Sequence, residues 1–288
     1  MKILVTGLTG QLGFDVMHEI ELRGDHSIKA IGAKRSDFDL TDFDAIQKFF
    51  AENEPNVVIH CAAYTAVDKA EDEKDLAFAV NETGTRNIAE ACKLIGATMI
   101  YVSTDYVFPG GGTNFYEVDD ATDPQNVYGA SKLAGEQAVL ETLAKFFIVR
   151  VSWVFGINGK NFIKTMLNLS KTHDEIKVVA DQIGSPTYTV DLARLLVDMA
   201  LDKDPKKFGI YHATNEGICS WADLAEEALR RSGKSTKIIP IATEDYPTKA
   251  KRPKNSRLSK KKLDENGFEH LPLWKDAVGR FLNELARQ

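Results

Sequence analysis

Three evenly spaced glycines, set between an apolar strand and an amphipathic helix, constrain this chain more than any other feature. Lys2-Ile3-Leu4-Val5-Thr6 reads as a buried strand; Gly7, Gly10 and Gly13 follow at once; Val16, Ile20 and Leu22 then continue a helical pattern. Gly7 permits the tight turn, Gly10 lets the backbone approach a pyrophosphate, and Gly13 allows close packing of helix on strand, while the helix N-terminus faces the phosphates. The spacing is G-x-x-G-x-x-G rather than G-x-G-x-x-G. Alone, such a triplet is a weak signal that an ordinary turn would explain; the strand before it and the helix after it make it a dinucleotide loop.

The same rhythm continues along the chain. Apolar strand candidates lie at 2–6, 28–32, 57–62, 98–103, 146–152 and 177–180, with helical periodicity at 42–52, 75–95 and 128–145. Alternating strands and helices predict an α/β fold with a Rossmann-type doubly wound parallel sheet. Beyond residue 152 the alternation weakens, and helices at 190–201, 221–231 and 272–286 dominate. Ser220 reads as the N-cap of the second of these helices and Gly233 as its stop. The expected division is a dinucleotide-binding domain over 1–152 and a smaller, mostly helical, mainly substrate-binding domain over 153–288.

With 288 residues, 43% of them hydrophobic and 27% charged, the chain can bury a substantial core. A formal net charge of −6 offers no basic surplus to a phosphate backbone, so nucleic acid is not an expected partner. No apolar run is long enough to span a bilayer and the N-terminus is a strand rather than a signal core, which predicts a cytoplasmic protein with no membrane partner. Cys61, Cys92 and Cys219 are odd in number and widely separated, as reduced thiols would be. No histidine pairs with them at zinc-ligand spacing, and His60 and His212 read as core residues.

Chemistry enters at Tyr128-Gly129-Ala130-Ser131-Lys132. On a helix, Tyr128 and Lys132 share one face, and the ammonium is expected to lower the phenol from its usual pKa of about 10 toward the range of a general acid. One such pair by itself is a solvated helix face. Upstream, however, Thr98-Met99-Ile100-Tyr101-Val102-Ser103 reads as a buried strand ending at Thr104 and Asp105, and ligands of open parallel sheets sit beyond the strands' carboxyl ends. Thr104 is thereby placed where a substrate carbonyl would rest.

The glycine spacing, the Tyr-x-x-x-Lys pair and Ser103-Thr104-Asp105 together resemble the extended short-chain dehydrogenase/reductase family. Within it, Gly10-Gln11-Leu12-Gly13, Cys61-Ala62-Ala63-Tyr64-Thr65-Ala66-Val67-Asp68, Val102-Ser103-Thr104-Asp105-Tyr106-Val107-Phe108, Val151-Ser152-Trp153-Val154-Phe155-Gly156 and Arg252-Pro253-Lys254-Asn255-Ser256 are similar to the dTDP-4-dehydrorhamnose reductases, in the same order along the chain. The resemblance implies hydride addition to the ketone of a 4-keto-6-deoxy sugar nucleotide, the 4-keto group of dTDP-4-dehydro-L-rhamnose. Tyr128 would be the acid, Lys132 its electrostatic partner and ribose ligand, and Thr104 a donor to the reacting oxygen. Cofactor contacts are implied at Gly7, Thr9, Gly10, Gln11, Leu12, Gly13, Asp39, Leu40, Ala62, Ala63, Tyr64, Thr65 and Val102, besides Tyr128 and Lys132. Substrate contacts are implied at Val67, Thr104, Asp105, Tyr106, Trp153 and Arg252. Trp153 would pack on the sugar ring or, equally, in the core. Arg252 would meet the diphosphate, although the cluster around it, Lys249, Lys251, Lys254, Arg257 and Lys260 to Lys262, also fits a solvated loop and helix start. In this family the two domains interleave.

The second strand should end near Ile31-Gly32-Ala33, where an acidic residue would hold the ribose 2′-hydroxyl of NAD. Lys34 and Arg35 stand there instead and point to NADPH, held through its 2′-phosphate, with NADH also accepted; two side chains merely facing solvent are the alternative. Some family members are dimers bridged by magnesium through carboxylates. Asp15 matches one such position, but Val190 stands where another is expected and Asp191 points elsewhere on its helix, so no metal is expected and a homodimer is left open. Epimerases and dehydratases of this fold are the alternative enzymes, disfavoured because Asp105-Tyr106 follows Thr104 rather than an Asp-Glu pair. A regulatory subunit like that of methionine adenosyltransferase is the non-catalytic alternative, and the intact Thr104, Tyr128 and Lys132 set argues against it.

Overall fold

The computed structural model describes residues 1–287. β1 (Lys2–Thr6) pairs on one side with β2 (Lys29–Ala33) and on the other with β3 (Val57–His60). The order continues through β4 (Thr98–Thr104) and β5 (Phe146–Val151) to a last strand, Gly209–His212, and every pairing is parallel. Both faces of such a sheet are covered, which is why its strands read as continuous apolar runs. Ile3, Leu4, Val5, Val58, Ile59, Ile100, Phe147 and Ile148 are fully buried.

Helices occupy the crossovers. α1 (Gln11–Leu22) and the helix Thr189–Leu201 cover one face, while α2 (Phe43–Asn53), α5 (Gly84–Ile95) and α6 (Val127–Thr142) cover the other, with the short α3 (Val67–Ala70) and α4 (Lys74–Phe78) before α5. Side-chain caps set several starts: Asp42 accepts from Ala45 N at 3.0 Å ahead of α2, and Asn126 accepts from Gly129 N at 2.8 Å ahead of α6. Ser220 and Asp223 form a reciprocal capping box on the helix Trp221–Arg231, and Gly233 follows its end at φ +65°. Phe50, 1% exposed between α2 and the sheet, shows the scale of the packing: its truncation to alanine would cost about 3–5 kcal/mol.

Two of the expected elements differ from the sequence reading. The helix expected over 75–95 is α4 and α5 joined by a π-helical turn, Ala79–Thr83. The strand expected at 177–180 runs Glu175–Val179 and lies outside the main sheet, paired with Lys237–Ile241. The sixth strand of the main sheet is Gly209–His212, whose apolar residues, Ile210 and Tyr211, are too few for a periodicity to show. His60 and His212 are buried, and burial pulls both down to about 3. Among the described residues no helix is long and apolar enough to cross a membrane.

Strand order reverses at β1, which has β2 on one side and β3 on the other. The carboxyl ends of β1 and β3 therefore flank the crevice where sheets of this kind bind ligands.

Candidate active site

The glycine loop closes as a cradle of backbone. Gly7 sits at φ +70°, in the left-handed region that favours glycine, and its carbonyl accepts from Gly10 N at 2.9 Å. A Cβ at Gly13 would lie 2.4 Å from that carbonyl oxygen, and one at Gly7 would lie 2.7 Å from Ala62 N. Helix, turn and the segment after β3 thus meet backbone to backbone. Gly10 caps α1 without a side chain, which leaves the N–H groups of the first helical turn to an anion. This donor set fits a dinucleotide pyrophosphate. Leu12 is buried in the core, whereas Gln11 reaches the second half of the chain, accepting from Gly156 N and Asn161 Nδ2, both at 3.0 Å. Asn158 donates to the carbonyl of Thr9 at 2.8 Å. Asn158 and Asn161 carried no sequence signal beyond a glycine-rich turn.

Lys34 and Arg35 lie exposed in the turn after β2. Arg35 faces Asp39 across 3.6 Å, and Asp39 accepts from both the amide and the hydroxyl of Thr41, which holds its carboxyl below the usual range. Leu40 is half-buried, with its carbonyl accepting from Asn87. In the segment after β3, Ala62 N donates to Thr6 Oγ1 at 3.2 Å, Ala63 and Thr65 flank Tyr64, and Val67 opens α3. The Tyr64 amide donates to Asn81 Oδ1 at 2.8 Å and its carbonyl accepts from Asn81 Nδ2 at 3.0 Å.

At the candidate catalytic corner Thr104 ends β4, Asp105 and Tyr106 continue in a 3-10 turn, and Tyr128 and Lys132 lie one turn apart on α6. Gly129 brings the helix in: a Cβ there would lie 2.2 Å from the Tyr106 carbonyl oxygen. The rings of Tyr106 and Tyr128 meet edge to face at 5.5 Å. Burial pushes the Tyr128 phenol above the usual range, with the Thr104 hydroxyl opposing, which reverses the lowering expected from Lys132. The ammonium is engaged elsewhere: Lys132 Nζ donates to the Val102 carbonyl at 2.7 Å and sits 4.0 Å from the centre of the Tyr101 ring. Burial pulls Lys132 down to about 7, and the Glu136 carboxylate partly restores it. Glu136 is paired with Arg150 at 2.7 Å, both fully buried, and accepts from Ser103. Thr104 Oγ1 donates to Asp105 at 3.0 Å, and burial pushes Asp105 up to about 6, with its other oxygen unpartnered.

Tyr106 also walls a cavity of about 800 Å³, bounded by Phe108 to Gly112 and by residues from Thr243 to Lys254. That volume suits a molecule the size of a sugar nucleotide. Arg252 lies on this wall, donating to Tyr106 Oη at 3.1 Å and pairing with Asp68. Much of the basic cluster around it is neutralised: Lys249 by Asp72, Lys254 by Asp181 and Glu244, Lys260 by Glu216. Trp153 stacks on Trp221 with ring centres 3.9 Å apart, and holds φ +51° although it is not glycine. Backbone strain of this kind concentrates at functional sites. Asp15 is buried with one oxygen unpartnered and is pushed up to about 6 by that burial. Val190 lies on the helix Thr189–Leu201, and the neighbouring Asp191 is bound by Arg280 and Asn215.

Residues 1–287 match the family described as RmlD substrate binding domain. A dTDP-4-dehydrorhamnose reductase of Streptomyces griseus is 42% identical over 96% of this chain and 91% of its own. A crystal structure of a dTDP-4-dehydrorhamnose reductase from Clostridium acetobutylicum superimposes with a TM-score of 0.94 at 44% identity, covering 99% of this chain and 100% of that one. A dTDP-4-dehydrorhamnose reductase from Bacillus anthracis, solved in complex with NADP, gives a TM-score of 0.93 at 41% identity over 98% of this chain and 99% of that one.

Proposed function

We infer the reaction from one premise: this chain belongs to the RmlD substrate binding domain family. It is an NADPH-dependent oxidoreductase that reduces the 4-keto group of dTDP-4-dehydro-L-rhamnose to give dTDP-L-rhamnose. The observation that carries this reading is likeness over the whole chain to reductases of that name, one of them solved with NADP. The bound nicotinamide supplies the hydride, and NADH is proposed as a poorer donor.

The roles of individual residues follow from chemistry. Gly7, Thr9, Gly10, Gln11, Leu12 and Gly13 are proposed to hold the pyrophosphate, Lys34 and Arg35 the 2′-phosphate, Asp39 and Leu40 the adenosine, and Ala62 to Thr65 with Val102 the nicotinamide side. Negative charge grows on the ketone oxygen as hydride arrives, and groups aimed at that oxygen stabilise the transition state more than the bound ketone. A phenol whose pKa is raised is neutral at physiological pH and so carries the proton that a reduction consumes; Tyr128 is the proposed acid. Lys132 is proposed to bind the ribose and favour the tyrosinate that remains. Thr104 is proposed as the second donor, by rotating its hydrogen from Asp105 to the substrate. Val67, Asp105, Tyr106, the uncovered part of Trp153 and Arg252 are proposed to receive the sugar nucleotide, Arg252 exchanging Asp68 for the diphosphate.

Residues 1–152 are proposed to bind mainly cofactor and 153–288 mainly substrate. The proposed setting is the cytoplasm, with no nucleic-acid partner, and the proposed assembly is a homodimer without a metal bridge, since Val190 supplies no carboxylate. The test is to supply dTDP-4-dehydro-L-rhamnose with NADPH and follow loss of reduced nicotinamide alongside the sugar product. One dTDP-L-rhamnose per NADPH oxidised is expected. A product that keeps its ketone, or no oxidation, overturns the reading.

A further inference from the structure

The basic wall of the cavity is a strap, Lys249-Ala250-Lys251-Arg252, set between Pro247 and Pro253 and tied down at every residue. Lys249 pairs with Asp72; the Ala250 amide donates to Asp68 Oδ1 at 3.1 Å; the Lys251 carbonyl accepts from Asn126 Nδ2 at 2.9 Å; Arg252 pairs with Asp68 Oδ2. Asp68, on α3, therefore holds the strap twice.

Charge along this wall is balanced rather than basic. Its four cations, Lys249, Lys251, Arg252 and Lys254, stand against four carboxylates: Asp72 on Lys249, Asp68 on Arg252, and Asp181 with Glu244 on Lys254. Among the described residues, Lys251 alone of the four meets a neutral partner, the Gln125 amide oxygen at 3.1 Å. A site built to gather phosphate charge would leave its cations free for the ligand. This one is set for an anion of limited charge.

The ligands that share a thymidine diphosphate differ in that respect. In a nucleotide sugar the diphosphate is esterified at both ends and carries about two negative charges; free nucleoside di- and triphosphates keep a terminal phosphate whose second pKa is about 6, and carry roughly three and four at neutral pH. When Arg252 turns to the diphosphate, Asp68 keeps only the Ala250 amide and faces the ligand without a cation. Each charge added to the ligand is then repelled.

We propose that Asp68 is a specificity-determining residue: its carboxylate, beside Arg252, selects the twice-esterified diphosphate of a nucleotide sugar against free nucleoside di- and triphosphates. A like charge set against the unwanted ligands separates molecules that share a base and a diphosphate, which attraction to the shared parts cannot do. The proposal rests on the reading of Arg252 as the diphosphate ligand.

The test titrates the full-length protein with dTDP, dTTP and dTDP methylated on its terminal phosphate, which has the charge of a nucleotide sugar without its sugar. Asp68→Asn keeps an acceptor for Ala250 and loses the charge, so at low ionic strength the Kd of dTDP divided by that of the methyl ester should fall about 3- to 10-fold, and the ratio for dTTP further. Loosening of the strap or loss of folded protein acts on both ligands and cancels in the ratio. Asp68→Glu, which keeps the charge, should hold the ratio within about twofold of the unaltered protein. An unmoved ratio in Asp68→Asn, or an equal shift in Asp68→Glu, overturns the proposal. Arg252→Ala separates it from the reading beneath it. Weaker binding of both ligands there, with the ratio unmoved in Asp68→Asn, removes the selector alone; unchanged binding removes the diphosphate site and the selector together. In the unaltered protein the ratio should itself fall as salt is raised, because a repulsion is being screened. A ratio that holds or rises overturns the proposal whether or not Asp68→Asn folds.

Discussion

The glycine cradle and the proposed catalytic corner lie at the carboxyl ends of strands of one parallel sheet but are made of different material. The cradle is backbone, closed at Gly7 and Gly13 at separations no Cβ tolerates, while a Cβ at Gly10 would lie 3.2 Å from the Gly7 carbonyl oxygen. The corner is side chains gathered from β4, from α6 and from the segment 243–254, far apart in the chain. A backbone site is specified by what is missing from its residues, and it binds whatever presents a phosphate. A side-chain site is specified by tertiary pairing, so Arg252 matters only because Tyr106 and Asp68 stand opposite it. The proposed roles thereby put binding of a common cofactor and choice of a particular substrate in separate materials.

The sharpest way to break that division is at Tyr128. Tyr128→Phe should reduce kcat by about 100- to 10,000-fold with NADPH affinity nearly intact, since only proton transfer is lost. Near-normal turnover, or cofactor binding that falls in parallel, would remove Tyr128 from its role. On the cradle side the pattern should invert. Gly13→Ala sets a methyl 2.4 Å from the Gly7 carbonyl oxygen, and NADPH titration should show affinity weakened by about 10-fold or more, with kcat at saturating cofactor much less affected. Unchanged affinity would mean the turn can open without cost. The smallest effect is expected where side chains are proposed to assist the cradle. Replacing Lys34 and Arg35 together by alanine should weaken NADPH by roughly 10-fold and leave NADH alone, because NADH has no 2′-phosphate to lose. Equal changes for the two cofactors would return both cations to solvent.

The same division explains what the sequence disclosed. Glycine spacing between a strand and a helix is local, and the cradle was legible from the single stretch 2–22. The neighbourhood of Tyr128, Lys132 and Thr104 was legible as a motif, but its electrostatics were not. Spacing on a helix suggested that Lys132 would lower the phenol, whereas burial raises it and the ammonium is spent on Val102 and Tyr101, partners set by the packing of α6 on β4. Asn81 was hidden for the same reason, since helical periodicity through 75–95 runs on past a π-helical turn. Asn158 and Asn161, which fasten the cradle to the second half, sit in a loop where no period exists to be read.

The place of Gly209–His212 at the edge of the main sheet has a consequence in time. β5 pairs with β4 on one side and with this late strand on the other. On the ribosome β5 therefore emerges long before its outer neighbour, with residues 152–208 still to be made, a wait of roughly 3–12 s at synthesis rates of about 5–20 residues per second. Through that interval Phe147, Ile148 and Val149 lie on an open strand edge, the kind of surface on which nascent chains recruit each other. The sheet is finished only when the chain doubles back, so the nascent first half passes through a stage at which its exposure, rather than its final stability, governs how much of it survives.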